Sequence, residues 1–117
     1  MSGASARWQA AISDREQLLG RDTVKRMSEL FLEEVSTLLE TASQSLAAGD
    51  FETARRTIHH LGGSAGTLDF VDLAEAAQLA EKACLSADPA DAQAKVHETA
   101  RIALRCVQDL QQRFGTS

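Results

Sequence analysis

Two adjacent histidines, His59 and His60, lie just before three glycines in the stretch RRTIHHLGGSAG, which runs from Arg55 to Gly66. Histidine is a nucleophile near neutral pH and can carry a covalent group on a ring nitrogen. If the stretch is helical, successive residues turn by about 100°, which puts both histidines away from its apolar side. Neither is therefore expected in the core. An exposed histidine is most often an ordinary surface residue, so its neighbours must decide whether it carries chemistry.

The glycines favour His59 over His60. Residues three and four apart share a helix face, so Gly62 and Gly63 follow His59 by one turn, and Gly66 follows by a second. Glycine in a helix costs about 1 kcal/mol relative to alanine, but its bare backbone allows another protein to approach closely. Close packing against a neighbouring helix is an alternative reason for Gly62, whereas Gly63 points away from the core. We expect His60 and the three glycines to lie on a docking surface around His59.

Cationic side chains precede His59 by one turn. Arg55 and Arg56 could bind a phosphoryl group there, because guanidinium groups match the oxygens of phosphate. Ser64, on the following turn, could hydrogen-bond in the imidazole region, although a bond back to its own helix is at least as common. These residue types together indicate a histidine that carries a phosphoryl group.

Four long helices follow from the spacing of apolar residues. From Val24 to Leu46 such residues recur at steps of three and four, as on one face of an amphipathic helix, and Gly49 can end that helix. Pro89 suits the first position of the last helix. Each helix has a candidate N-cap aspartate: Asp22, Asp50, Asp69 and Asp88.

A short additional helix is predicted before them, from Asp14 to Leu19. Ser13 and Glu16 match the S-x-x-E capping box that begins a helix, and Gly20 can end it.

Short connections between four long helices favour an all-α fold, an antiparallel up-down-up-down four-helix bundle. The short N-terminal helix could cover one open end of the core, with Trp8 or Ile12 as its plug. We expect a flexible N-terminus over residues 1–11 and a single bundle domain over residues 12–117.

Composition excludes several classes of protein. The chain has 117 residues and a formal net charge of −5, which disfavours nucleic-acid binding. No apolar run reaches the roughly 18 residues of a membrane span, and the N-terminus has no apolar signal core. A cytoplasmic protein is expected, in which Cys84 and Cys106 are buried free thiols, with a disulfide between them the less favoured alternative.

The stretch HHLGGSAGTL resembles the H-x-L-K-G-S-A-G-x-L signature of histidine-containing phosphotransfer (HPt) domains, the phosphocarriers of multistep two-component signalling. The matching positions are His59, Leu61, Gly63, Ser64, Ala65, Gly66 and Leu68. The segments GDFETARR and LLGRDTVKRMSELFLEEV are also similar to the family, so the resemblance extends from about Ile12 to Phe114.

The resemblance implies that His59 is the phosphoacceptor and His60 the variable residue after it. It implies a four-helix bundle that receives the phosphoryl group from a receiver-domain aspartate and passes it to a response-regulator receiver. The receivers would supply the magnesium ion. The carrier itself would bind no metal or cofactor and would have no kinase active site.

One position departs from the family pattern, since Gly62 stands where the family has a lysine three residues after the histidine. The cations that could replace it are, in order of preference, Arg56, Arg55 and Lys82. On the long helix predicted after Asp69, Gln78 and Glu81 are also candidates to reach the imidazole.

Near the start of the long helix from Val24 to Leu46, Met27 or Leu30 could add apolar docking contacts, as could Val24, although core burial is the simpler expectation for each.

Three other interpretations stay open. The domain could come from a hybrid or chemotaxis-type kinase, with the ATP-binding domain elsewhere, although Met1 and a complete bundle favour a free-standing protein, expected as a monomer. The chain could be a helical interaction scaffold, or a carrier made inactive by its altered motif. Metal binding is the least favoured, because His59 and His60 diverge by about 100° around the helix and His97 is expected at the surface.

Overall fold

The computed structural model describes residues 3–86 and 88–115, and within them every element is a helix. The helices are α1 (Gly3–Leu19), α2 (Arg21–Ala47), α3 (Phe51–Thr67), α4 (Val71–Ser86) and α5 (Pro89–Phe114). Helices α2 and α4 both pack against α3 and against α5, while α1 packs against α2. The all-helical class predicted from the sequence is thus confirmed. No helix in the described part of the chain is long and apolar enough to cross a membrane.

Two of the four predicted caps are confirmed. The carboxylate of Asp50 accepts a hydrogen bond from the backbone N–H of Thr53 at 3.1 Å. Asp88 does the same for Asp91 at 3.3 Å, and Pro89 occupies the first turn of α5. Each aspartate therefore satisfies a backbone donor that has no partner inside its helix.

The other two predicted caps are wrong. Helix α2 begins at Arg21, and the residue before it is Gly20 with a φ of 91°, so Asp22 lies inside the first turn. Asp69 lies in the left-handed region, with a φ of 61°. Its carboxylate accepts two hydrogen bonds from the Arg15 guanidinium, at 2.8 and 2.7 Å. Asp69 thus forms part of the tight turn between α3 and α4 and an ion pair with Arg15 of α1, and it does not cap a helix.

Helix α1 is longer than predicted. It begins at Gly3 rather than at Asp14, so residues 3–11, predicted to be flexible, are helical. Met1 and Ser2 lie outside the described residues. Trp8 and Ile12, one turn apart, are both buried, which confirms the plug. Burial of this apolar face, rather than a local cap, explains why the helix extends towards the N-terminus.

The predicted capping box of α1 is also wrong, because Ser13 and Glu16 bind side chains instead. Arg113 of α5 donates to Ser13 Oγ at 2.9 Å and to Gln9 Oε1 at 2.6 Å, and it pairs with Glu16 as well. Arg21 donates to the second oxygen of Glu16 at 2.8 Å. These contacts fasten α1 to the ends of α2 and α5.

Most of the residues that α4 contributes to the core are small, and this brings α4 close to α3. The buried residues of α4 are Leu73, Ala77, Ala80, Ala83 and Cys84, and those of α3 are Ala54, Ile58, Leu61 and Ala65. Helices with alanine at the contact approach each other more closely than helices with large side chains. The site described next lies on the outer side of α3, along this close contact.

Candidate functional site

His59 lies in the middle of α3 with its side chain largely exposed to solvent. Its Nδ1 is 2.9 Å from Oε1 of Glu81 on α4. A carboxylate only accepts hydrogen bonds, so Nδ1 carries the proton and donates it. In the neutral ring the other nitrogen, Nε2, then holds the free lone pair. Glu81, one of the residues considered from the sequence, therefore reaches the imidazole and fixes which nitrogen can act as a nucleophile.

His60 turns to the opposite side and meets a different helix. Its Nε2 is 3.2 Å from Oε2 of Glu34 on α2. The two histidines thus belong to separate pairs and do not converge on one point. Among residues 3–86 and 88–115 no three His, Cys, Asp or Glu side chains are placed to hold a metal ion together.

Both arginines before His59 contact one carboxylate, that of Glu52. Arg55 donates to its two oxygens at 3.0 and 2.6 Å, and Nε of Arg56 lies 3.8 Å from Oε1. The hydrogen bond from Arg55 holds the pKa of the Glu52 carboxyl below its usual value, and the same bond raises the pKa of Arg55. Glu52 is not among the residues predicted from the sequence, although its spacing of three and four residues from the arginines is that of helical ion pairs.

Arg55 leans towards α4. The charge of Glu81 adds to the rise in the pKa of Arg55, after the larger effect of Glu52. Burial raises the pKa of the nearby Cys84 thiol, and the Arg55 charge partly offsets that rise. The guanidinium of Arg55 thus lies among groups of α3 and α4, while Arg56 is more open to solvent.

The glycines of the motif have two different environments. A Cβ atom at Gly62 would lie 3.1 Å from the Cβ of Ala77 on α4, a tight contact that a shift of a few tenths of an ångström would relieve. At Gly63 and Gly66 a Cβ would meet no atom within 4 Å. Gly62 therefore lies in the close contact between α3 and α4, whereas the other two glycines leave bare backbone facing open space beside His59.

The remaining candidates surround this strip. Ser64 is half-buried on α3, and Gln78 and Lys82 are exposed on α4. Of the apolar residues considered on α2, Val24 is buried in the core, which excludes it from a docking surface. Met27 is half-buried, whereas Leu30 is 43% exposed.

Comparison with protein families gives one match. The model of the Hpt domain family matches residues 26–113, about three quarters of the chain, and this range includes His59 and excludes α1. The searches of curated proteins and of solved structures gave no significant match.

Proposed function

Because the chain belongs to the Hpt domain family, whose members take part in histidine phosphotransfer in two-component signalling, we propose that it is a phosphocarrier acting through His59. His59 accepts a phosphoryl group from a receiver-domain aspartate and passes it to the receiver of a response regulator. The observation that carries this assignment is the contact of His59 Nδ1 with Glu81 at 2.9 Å, which leaves Nε2 free on an exposed side chain.

The transfer requires no proton to move. The lone pair of Nε2 attacks the phosphorus of the aspartyl phosphate, an N–P bond forms, and the P–O bond to the receiver carboxylate breaks. The carboxylate leaves with the electron pair, and the ring becomes a phosphoimidazolium that keeps its proton on Nδ1. A magnesium ion bound by the receiver would offset charge on the phosphoryl oxygens. Onward transfer is the same step in reverse on a second receiver.

Glu81 has two effects on this step. Its hydrogen bond holds the ring in the tautomer that presents Nε2 as the nucleophile. Its charge also stabilises the positive ring that forms when the N–P bond is made, as the aspartate of a catalytic triad stabilises an imidazolium. Glu81 is therefore a positioning residue for His59, and it makes no contact with the phosphoryl group itself.

Cations for the phosphoryl group come from the turn before His59. Arg56 is the first candidate because its guanidinium is exposed and held by one long contact. Arg55 is the second, and Lys82 is a weaker third on α4. At position 62, where the family usually has lysine, a Cβ atom would lie 3.1 Å from the Cβ of Ala77, so a side chain there would crowd α4.

A receiver would dock over the bare backbone of Gly63 and Gly66, with Gly62 at its α4 edge. His60 lies on the α2 side of this strip, and Leu30, 43% exposed, offers an apolar contact there. Ser64, on the turn of α3 after His59, is the candidate to hydrogen-bond in the imidazole region.

The proposed carrier is a cytoplasmic monomer that binds no nucleic acid or membrane, with an up-down-up-down bundle and no kinase active site. The pairs His59–Glu81 and Gly62–Ala77 run in opposite order along α3 and α4, which supports an antiparallel arrangement of these two helices.

Incubation with phosphorylated receiver domains tests the proposal. The wild-type protein and His60→Gln should acquire acid-labile, alkali-stable label, while His59→Gln should acquire none. Circular dichroism should give the same helix content for all three proteins. Label that persists in His59→Gln, or an unlabelled wild type against every receiver of the source organism, would overturn the assignment.

A further inference from the structure

One carboxylate, Glu52, holds both guanidinium groups next to the nucleophile. Arg55 donates two short hydrogen bonds to it, at 3.0 and 2.6 Å, and Arg56 lies 3.8 Å from it. Glu52 precedes His59 by seven residues, and at about 100° per residue it lies on nearly the same side of α3. The resting site therefore contains a group that already binds the cations a phosphoryl group would need.

Phosphorylation changes the balance of charge at this place. A phosphoryl group adds a charge of about −1.5 to −2, next to a ring whose other nitrogen is 2.9 Å from the Glu81 carboxylate. Glu52 adds a second negative charge on the same face of α3. A phosphoryl group on His59 can recruit Arg55 or Arg56 only by drawing it away from Glu52.

Building on the proposed function, we propose that Glu52 competes with phosphorylated His59 for Arg56, while it keeps Arg55, and thereby sets how the phosphoryl group divides between His59 and the receiver aspartate. Arg56 is the residue that changes partner. It has one long contact with Glu52 and a side chain that is 67% exposed. Arg55 has two short bonds and is 27% exposed, so it stays with Glu52.

The consequence is a carrier that gives up its phosphoryl group readily. With Glu52 present, each contact between an arginine and the phosphoryl group replaces an existing ion pair, so the phosphorylated histidine gains little. Without Glu52, the arginines are free and stabilise the N–P form. Glu52 is thus a positioning residue that acts through the arginines, and it favours onward transfer to the receiver.

The chain contains a matched control for Glu52 on another helix. On α5, Arg101 donates to Glu98 at 3.0 and 2.6 Å with the same spacing of three residues. Glu98→Gln therefore removes an ion pair of the same geometry on a helix that carries none of the site residues.

The experiment compares the wild type, Glu52→Gln and Glu98→Gln with one receiver domain that exchanges phosphate with the wild type. At equal protein concentrations, the ratio of phosphohistidine to phosphoaspartate is measured at equilibrium. Glu52→Gln should raise this ratio about 1.4- to 5-fold, the range that corresponds to an exposed ion pair. Glu98→Gln should leave it unchanged. In an Arg56→Gln background, Glu52→Gln should raise the ratio less.

The outcomes for Glu52→Gln and for the wild type distinguish failure of the Glu52 role from failure of the proposed function. An unshifted ratio in Glu52→Gln, or an equal shift in Glu98→Gln, would overturn the role of Glu52 and leave the proposed function intact. A wild type that takes no label at His59 would overturn the proposed function, and the role of Glu52 with it. Circular dichroism and thermal melting separate these results from a loss of folding.

Discussion

His59 and His60 are both exposed, with 74% and 57% of their side chains accessible, so exposure does not distinguish them. The two histidines differ in which ring nitrogen faces the neighbouring carboxylate. His59 meets Glu81 through Nδ1 and keeps Nε2 free, whereas His60 meets Glu34 through Nε2. A partner approaching from solvent therefore finds the outer nitrogen of His59 available and that of His60 engaged.

Removing the charge of Glu81 should slow phosphotransfer. In Glu81→Gln the amide can still accept from Nδ1 but cannot stabilise the phosphoimidazolium. Loss of an equivalent partner at metal-bound histidines costs about 10- to 100-fold, and we expect the lower end, about 10-fold, at this exposed site. The measurement is the initial rate of transfer from a phosphorylated receiver.

Glu34→Gln is the matched control for Glu81→Gln, because it removes the carboxylate that faces the other histidine. It should transfer at the wild-type rate. Equal rates for Glu81→Gln and Glu34→Gln would contradict the role given to Glu81.

Among the helices, the contact between α3 and α4 decides the geometry of the site. Gly62 and Ala77 let the two helices approach until the carboxylate of Glu81 reaches His59. A Cβ atom at position 62 would crowd Ala77, so the altered motif position lies in the same helix contact that brings Glu81 to His59.

Replacing Gly62 and Gly63 by alanine, one at a time, should distinguish the effect of packing on stability from the effect of helix propensity. Alanine gains about 1 kcal/mol over glycine in a helix, and Gly63→Ala, which faces open space, should show this gain in full. Gly62→Ala should be less stable than Gly63→Ala by about 1 kcal/mol or more, since crowding a packed contact typically costs about 1 to 3 kcal/mol. Urea denaturation measures both variants.

A rescue variant tests the cause of that difference. Ala77→Gly in the Gly62→Ala background removes the atom that the new Cβ would meet. After correction for the effect of Ala77→Gly alone, it should reduce the difference in the free energy of unfolding between the alanine variants at positions 62 and 63. Equal stability of Gly62→Ala and Gly63→Ala would argue against the close contact.

For the molecule as a whole, α1 closes one end of the core, and its side-chain hydrogen bonds go to the turn between α3 and α4 and to the ends of α2 and α5. The indole N–H of Trp8 donates to the carbonyl of Leu68 at 2.9 Å, and its ring stacks on Phe70 with centroids 4.8 Å apart. The Arg15–Asp69 pair fixes the same turn, and Arg113 of α5 donates to Ser13 of α1. Helix α1 lies outside the range that the family model matches, and these contacts hold it on the bundle.

Stability and phosphotransfer should therefore respond separately to changes in α1. Trp8→Ala should lower the free energy of unfolding by about 3 kcal/mol, as expected for loss of a buried tryptophan. Leu18→Ala, on the same helix but exposed, should change it little. At a temperature where both variants are folded, each should transfer phosphate from a receiver at the wild-type rate. A specific loss of transfer in folded Trp8→Ala would show that α1 contributes to the site.

The sequence by itself determined the features that depend on near neighbours in the chain. The spacing of apolar residues predicted four long helices, Asp50 and Asp88 were identified as caps, and the motif singled out His59. It could also have revealed Glu52, since helical ion pairs at three and four residues follow from the turn of the helix. These features are local, because a residue's neighbours within a helix are set by its spacing.

Only the tertiary structure decided what depends on how the helices are placed against one another. Glu81 is 22 residues from His59 in the chain, and nothing in the spacing says which of Gln78, Glu81 or Lys82 meets the imidazole. The long α1 and the ion pair of Asp69 also depend on surfaces contributed by distant segments. The rotation and separation of packed helices come from side-chain packing across the whole core, which is why local patterns singled out His59 but could not identify Glu81 as its partner.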